Sequence, residues 1–220
     1  IDPETGAAKW SYSVVNAIVS APAISPDGSQ VAFSYQGDIW QMQIDGSDPR
    51  RLTIHEAYEA NPVWSPDGSW IAFSGGRYGN NDIYTIEAGG GIPNRLTYHS
   101  AGDMAYSWEN DQILFTTSRA FRQVERDPEI YRVAPGGGTP ERLLDAVGNM
   151  PSLSPDGRYI AFTRGSCRVA REQYRGPANK EIWLYDTENK AYTRITDNEV
   201  NDYMPRWANN NTLVYISAAS

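Results

Sequence analysis

Two histidines are the residues of this 220-residue chain best suited to metal binding or proton transfer. His55 and His99 each follow an Arg-Leu-Thr tripeptide at the same distance, so they occupy equivalent places in a repeat. A zinc site would need a third and a fourth ligand at compatible positions, but the equivalent residues further along are Ala146 and Asn198. We therefore predict no metal site and no cofactor, and we place both histidines on loops at one mouth of a central channel.

Arginines are the second candidate, because two stretches at 119–129 and 164–181 are rich in them while the chain as a whole carries a net charge of −8. A guanidinium group recognises a carboxylate through two parallel hydrogen bonds, and long loops on a rigid scaffold commonly carry binding residues. We expect the two stretches to meet on one face and to hold an acidic protein surface or a peptide carboxylate. Alternatively, these arginines pair with acids of their own loops and only stiffen them. The candidate residues are Arg119, Arg122, Arg126, Arg164, Arg168, Arg171 and Arg175.

Other functions are disfavoured by what the sequence lacks. The excess of 27 acidic over 19 basic residues repels a phosphate backbone, so no nucleic-acid partner is predicted. Cys167 is the single cysteine and can form no disulfide within the chain. A Gly-x-Ser-x-Gly elbow is missing, so we predict no catalytic site. No apolar run approaches the roughly 20 residues that would cross a bilayer, and we predict no membrane span.

The elements that must position these residues are strands of a repeat. The tetrapeptide Ser-Pro-Asp-Gly begins at Ser25, Ser65 and Ser154, and each copy is followed by an apolar strand. Degenerate copies place Ser107 and Ala208 at the same position, which gives spacings of 40 to 54 residues. Spacings of this size are typical of propeller blades rather than of leucine-rich or ankyrin repeats.

A second signature completes each unit. An acid, an isoleucine and an aromatic residue open a third strand at Asp38, Asp82, Glu129 and Glu181. A turn and a short outer strand with the pattern Arg-Leu-Thr follow. Four strands per unit, joined by tight turns, predict an all-β fold, a β-propeller of four-stranded antiparallel blades that bury their faces against one another.

Residues 1–220 are predicted to form a single β-propeller domain. Its ends fall inside blades, so partial blade strands are expected at both ends and the ring has five blades or is a fragment of a six-bladed ring. The predicted segments are an outer strand at 1–15, complete blades at 20–54, 60–98, 103–145 and 149–196, and two strands at 203–217.

The repeat resembles that of TolB-like propellers over essentially the whole chain. Three stretches, Arg95–Gly102, Ala161–Ser166 and Tyr174–Trp183, more narrowly resemble the N-terminal propeller of bacterial tricorn-like serine peptidases of the C-terminal-processing family. That resemblance implies a periplasmic or secreted parent protein with a PDZ domain and a protease core elsewhere. This chain would then be a non-catalytic module that gates substrate or binds a peptide or protein.

Two alternatives come from other classes of protein. One is a free-standing periplasmic TolB-like scaffold that docks a protein partner. The other is a carbohydrate-active propeller of the oligogalacturonate lyase type, whose catalysis would need histidine and metal clusters that the sequence does not offer.

Overall fold

The chain folds into a succession of antiparallel sheets. The computed structural model describes residues 22–120, 127–167, 176 and 178–218, and the regular elements of this part of the chain are all β-strands. Four sheets have four strands each and a fifth has two, so the predicted all-β propeller is confirmed. No helix in the described ranges is long and apolar enough to cross a membrane. The outer strand predicted at 1–15 lies outside the described residues.

The sheets follow one another along the chain, and we call them blades 1 to 5. Blade 1 consists of β1 (Ala23–Ile24), β2 (Gln30–Tyr35), β3 (Asp38–Gln43) and β4 (Arg50–Arg51). Blade 2 consists of β5 (Glu59–Trp64), β6 (Trp70–Gly75), β7 (Asp82–Glu87) and β8 (Asn94–Arg95). Blade 3 consists of β9 (Asp103–Glu109), β10 (Gln112–Thr117), β11 (Glu129–Val133) and β12 (Glu141–Val147). Blade 4 consists of β13 (Asn149–Leu153), β14 (Tyr159–Arg164), β15 (Glu181–Asp186) and β16 (Ala191–Arg194). Blade 5 consists of β17 (Asp202–Asn209) and β18 (Thr212–Ser217).

The Ser-Pro-Asp-Gly turn between the first two strands of a blade is held by its own side chains. In blade 1 the Ser25 hydroxyl donates to Asp27 Oδ1 at 2.6 Å and accepts from the Gln30 amide at 2.9 Å. The Ser29 amide donates to the same Asp27 oxygen at 3.0 Å. Gly28 adopts φ 73°, the left-handed region that glycine enters without a steric penalty. Blade 2 repeats this arrangement, with Ser65 in the position of Ser25.

Alternation along the second strand buries blade 2 on two sides. Ile71 and Phe73 of β6 pack with Ala32 and Ile39 of blade 1. The intervening Ala72 packs on the other side, in a cluster with Phe115 and other blade 3 residues. Successive side chains of a strand point to opposite faces, and blades 1 and 3 likewise contribute to two separate cores.

Blade 5 differs, because its second strand is exposed. Val214, Tyr215 and Ile216 of β18 have relative exposures of 57%, 40% and 46%. Leu114 and Phe115 of β10, which correspond to Val214 and Tyr215, are fully buried. Among the described strands, β18 pairs with β17 alone.

A buried threonine connects the outer and third strands of three blades. The amides of Ile39, Ile83 and Ile182 donate to the hydroxyls of Thr53, Thr97 and Thr196 at 2.9, 2.9 and 3.0 Å. Each threonine thus satisfies an N–H group at the start of a third strand, where the first two residues are buried. Blade 3 has Leu144 at the corresponding position.

Replacing this threonine should therefore destabilise the fold. We expect Thr97→Val, which keeps the side-chain shape but removes the acceptor, to lower the free energy of unfolding by about 1–3 kcal/mol because the Ile83 amide is left unsatisfied. Thr193→Val, at an exposed position of β16, should stay within about 0.5 kcal/mol of wild type. Urea denaturation measures the free energy of unfolding of both variants. Equal values would contradict a stabilising role for the hydrogen bond between the Ile83 amide and Thr97.

The turn aspartates should titrate well below the ordinary range. Hydrogen bonds from the hydroxyls of Ser25 and Ser29 lower the pKa of Asp27 to about 2, and those from Ser65 and Ser69 lower the pKa of Asp67 to about 2. Because the folded pKa is depressed, the stabilisation is fully present above about pH 4 and is lost as the pH falls through 2. Carboxyl ¹³C NMR should show both midpoints near 2. The Ser25→Ala/Ser29→Ala variant should raise the titration midpoint of Asp27. An unchanged midpoint would show that the two serine hydroxyls do not cause the low pKa.

Candidate functional site

A central cavity lies where the first strands of the five blades converge. It has a volume of about 720 Å³, and β1, β5, β9, β13 and β17 all contribute to its wall. One position of each strand recurs in that wall. The pairing of first with second strands identifies the five residues at this position as Ala23, Val63, Ser107, Ser152 and Arg206. The sequence alignment that matched Ser107 to Ser65 was wrong by two residues, because Ser107 pairs with Leu114 as Val63 pairs with Ala72.

The first strands bulge where they form this wall. Asn61, Met150 and Met204 have φ values of 56°, 55° and 57°, and each precedes a proline. The pairing register of β5, β13 and β17 shifts at the same places. A bulge bends a strand and redirects its side chains, and left-handed φ at a residue other than glycine carries a conformational cost. The bulges therefore shape the cavity at some expense of stability.

Tryptophans connect neighbouring first strands around the cavity. The indole N–H of Trp64 donates to the carbonyl oxygen of Ala23 at 2.9 Å, and that of Trp207 donates to the carbonyl oxygen of Ser152 at 3.1 Å. Trp108 lines the same space. The wall is thus largely aromatic and apolar, and the indole N–H groups of Trp64 and Trp207 are already engaged by the protein.

Arg206 brings a positive charge into this apolar wall. Its Nη1 donates to the carbonyl oxygen of Pro205 at 2.9 Å, and its Nη2 donates to that of Tyr106 at 3.3 Å. The second bond joins blade 5 to blade 3 across the cavity. Burial lowers the pKa of Arg206, and burial raises the pKa of Glu109, which lines the same space, although the charge of Arg206 opposes the latter shift.

The two histidines form turns outside this cavity. His55 Nδ1 accepts a hydrogen bond from the Ala57 amide at 3.0 Å, and His99 Nδ1 accepts one from the Ala101 amide at 2.9 Å. Neither histidine is among the described residues that line the cavity. No cluster of three or more His, Cys, Asp or Glu side chains with a metal-binding arrangement occurs in the described ranges. Their predicted place at a channel mouth stays a prediction.

One hydrogen bond joins the described ends of the two arginine-rich stretches. The Gly165 amide donates to Asp127 Oδ2 at 3.2 Å, which joins the end of one stretch to the start of the other. Arg119 Nη2 lies 2.5 Å from Asp103 Oδ2, and its guanidinium group stacks over Phe115. Arg164 is exposed and stacks over the Trp183 ring. The remaining candidates lie outside the described residues, so the predicted acid-binding patch stays a prediction: Arg122, Arg126, Arg168, Arg171 and Arg175.

The buried acids of the second signature pair with arginines of the outer strand. Arg95 Nη2 lies 2.7 Å from Asp82 Oδ2, and Arg194 Nη2 lies 2.8 Å from Glu181 Oε1. Burial raises the pKa of Asp82, an effect that the nearby Asp103 increases and Arg95 opposes. The acid and the arginine of the repeat are therefore two halves of one ion pair at the end of each of these blades.

Breaking the ion pair between Arg119 and Asp103, which is the most enclosed among the described residues, should be costly. We expect Arg119→Met to lower the free energy of unfolding by about 3–5 kcal/mol, because Asp103 has no exposed surface and would be left as an unpaired buried charge. Arg132→Met, which removes the exposed pair with Glu141, should cost less than about 1 kcal/mol. Urea denaturation measures the free energy of unfolding of both variants, and equal losses would contradict a special role for the enclosed ion pair.

A second substitution separates charge from packing. If the charge of Asp103 is responsible, Arg119→Met/Asp103→Asn should regain part of the lost stability. A double variant no more stable than Arg119→Met would instead attribute the loss to the stacking of Arg119 on Phe115.

Comparison with known proteins places this geometry in a family. A family model described as the tricorn protease N-terminal β-propeller domain matches residues 16–220. The structure of a TolB homologue from Agrobacterium tumefaciens superposes with a TM-score of 0.75 and 25% identity, covering 92% of this chain and 71% of that one. The crystal structure of the tricorn protease has a TM-score of 0.68 and 20% identity, covering 86% of this chain and 19% of that one.

A shorter match links the chain to a curated protein. The Tol-Pal system protein TolB from Anaeromyxobacter dehalogenans (strain 2CP-C) is 43% identical over 44 residues, which is 18% of this chain and 10% of the relative. This chain thus matches only a small part of the curated relative and of the tricorn protease. Both resemblances drawn from the repeat are confirmed, and the chain belongs to the tricorn protease N-terminal β-propeller domain family.

Proposed function

We propose that this propeller is a non-catalytic module that binds an extended peptide segment in its central cavity. The observation that carries the proposal is the cavity of about 720 Å³ whose wall is formed by the first strands of all five blades. Concave, mostly apolar spaces with a few polar groups are the usual form of a ligand site. Here the aromatic surface comes from Trp64, Trp108 and Trp207, and the charge comes from Arg206 and Glu109.

The family also suggests the kind of protein to which this module belongs. We place it in a periplasmic or secreted tricorn-like serine peptidase, whose PDZ domain and protease core would lie elsewhere in the same polypeptide. The propeller would then admit or hold peptide substrates for an active site outside these 220 residues. The match of the family model over residues 16–220 supports this setting.

A free-standing scaffold that docks a protein partner is the second candidate. It is favoured by the likeness to the A. tumefaciens TolB homologue, of which this chain covers 71% at 25% identity. The reading frame distinguishes the two settings. Coding sequence for a PDZ domain and a protease core downstream of residue 220 supports the peptidase, and a stop codon soon after it supports the scaffold.

Filling the cavity tests the proposed binding mode. We expect Val63→Trp, which places a bulky ring at a half-buried position of the wall, to weaken the binding of short fluorescein-labelled peptides by at least about tenfold, or roughly 1.4 kcal/mol. Thr193→Trp, at an exposed position of β16, adds the same ring outside the cavity and should leave binding unchanged. Fluorescence anisotropy measures the affinities and circular dichroism verifies folding. Equal affinities for both variants would refute binding in the cavity.

A further inference from the structure

We propose that the guanidinium group of Arg206 and the hydroxyl of Ser107 form a carboxylate-binding subsite in the central cavity. The inference rests on the proposed function and specifies its ligand, a peptide that presents a carboxylate to the cavity wall. That carboxylate is either the C-terminal group or the side chain of an aspartate or glutamate.

The first step is the bonding state of Arg206. A guanidinium group has five N–H donors, and the hydrogen bonds of Arg206 within the described structure go to two neutral carbonyl oxygens, those of Pro205 and Tyr106. The bond to Tyr106 is long, at 3.3 Å. Arg206 therefore retains donors that point to no protein acceptor in the described part of the chain.

Other enclosed arginines are built differently. Arg77, Arg95 and Arg119 have carboxylate oxygens at 2.6, 2.7 and 2.5 Å. For Arg206, no carboxylate oxygen lies within ion-pair distance among residues 22–120, 127–167 and 178–218. A charge removed from water is stabilised only by a counter-charge and hydrogen bonds. A bound anion would supply both to Arg206.

The second step is an unsatisfied hydroxyl in the same wall. Ser107 is 7% exposed, and its Oγ atom is buried without a hydrogen-bond partner. It lines the cavity and directly follows Tyr106, whose carbonyl oxygen accepts the bond from Arg206. A carboxylate has about four lone-pair sites, enough to accept from the guanidinium group and the hydroxyl together.

The third step is the position of these residues in the repeat. Ser107 and Arg206 occupy the wall position that holds Ala23, Val63 and Ser152 in the other blades. Blade packing therefore does not require an arginine here. Small or short side chains fill the position elsewhere, and the one long cationic side chain extends into the space that they leave.

Glu109 is the other charged residue that lines the cavity, and its negative charge would repel a bound carboxylate. It lies beyond ion-pair distance of Arg206, so it leaves the guanidinium donors available. Burial raises the pKa of Glu109, and the charge of Arg206 opposes that shift.

The test compares one fluorescein-labelled peptide in three forms: a free C-terminal acid, a C-terminal amide, and the amide with one internal glutamate. We expect the wild-type chain to bind at least one carboxylate form about tenfold or more tightly than the plain amide. Tighter binding of the acid alone identifies a C-terminal carboxylate as the ligand, and tighter binding of the glutamate peptide identifies a side-chain carboxylate.

Substitutions test whether the tighter binding of carboxylate peptides depends on Arg206 and Ser107. Arg206→Gln should abolish it, Ser107→Ala should reduce it, and Arg206→Lys, which keeps the charge without the planar fork, should retain part of it. Arg50→Gln is the matched control, because Arg50 is exposed and also donates to neutral oxygens, those of Gln41 and Ala88. It should keep the full preference.

Acetate provides a readout that does not depend on peptide binding. Adding acetate should shift the ¹⁵N NMR resonance of Arg206 Nε and not that of Arg50 Nε. Equal binding of all three peptides, without an acetate shift, would overturn the subsite and leave the proposed function standing. Failure of every peptide to bind, with a specific acetate shift, would overturn the proposed function and leave the subsite standing.

Discussion

A four-stranded blade has two apolar faces, and each face is buried only when another blade lies against it. Ile71 and Phe73 on one face of β6 and Ala72 on the other need different neighbours, and both faces are completely buried. This requirement fixes how the sheets stack, and the stacking in turn brings the first strands of the five blades together. The cavity is therefore a consequence of how the blades bury their apolar surface, and its shape depends on contacts made well away from it.

Stacking also buries polar groups at the strand ends, and the repeat satisfies most of them in a fixed way. The threonine hydroxyl accepts from the third strand, and the arginine of the outer strand pairs with the acid that opens the third, as in Arg95 and Asp82. Where this scheme is complete, the residues stabilise the blade and offer little to a ligand. Arg206 and Ser107 stand outside it, which is why the cavity wall rather than the ion-paired end is the better candidate for binding.

The sequence predicted the fold because its signals are local and recur. The Ser-Pro-Asp-Gly turn closes through hydrogen bonds within six residues, so each copy reports the same structure. The partnership of Asp82 with Arg95 was not predicted, because it joins strands whose pairing register is set by the sheet. Arg119 was predicted to belong to a binding loop, and the structure places it beside Asp103 in the first strand of its own blade. Arg206 lies in a degenerate copy of the repeat and was not among the predicted site residues, although it differs from the Ala, Val and Ser residues at that position of the other copies.

The exposed strand β18 has an edge that resembles the inner strands of the other sheets. Its six residues include Leu213, Val214 and Ile216, and along one edge its backbone N–H and C=O groups face no described strand. In each of the other four sheets, the second strand pairs at this edge with a third strand. An apolar strand edge of this kind is a template for pairing with another extended segment. The edge of β18 therefore has the form that accepts a third strand in the other blades.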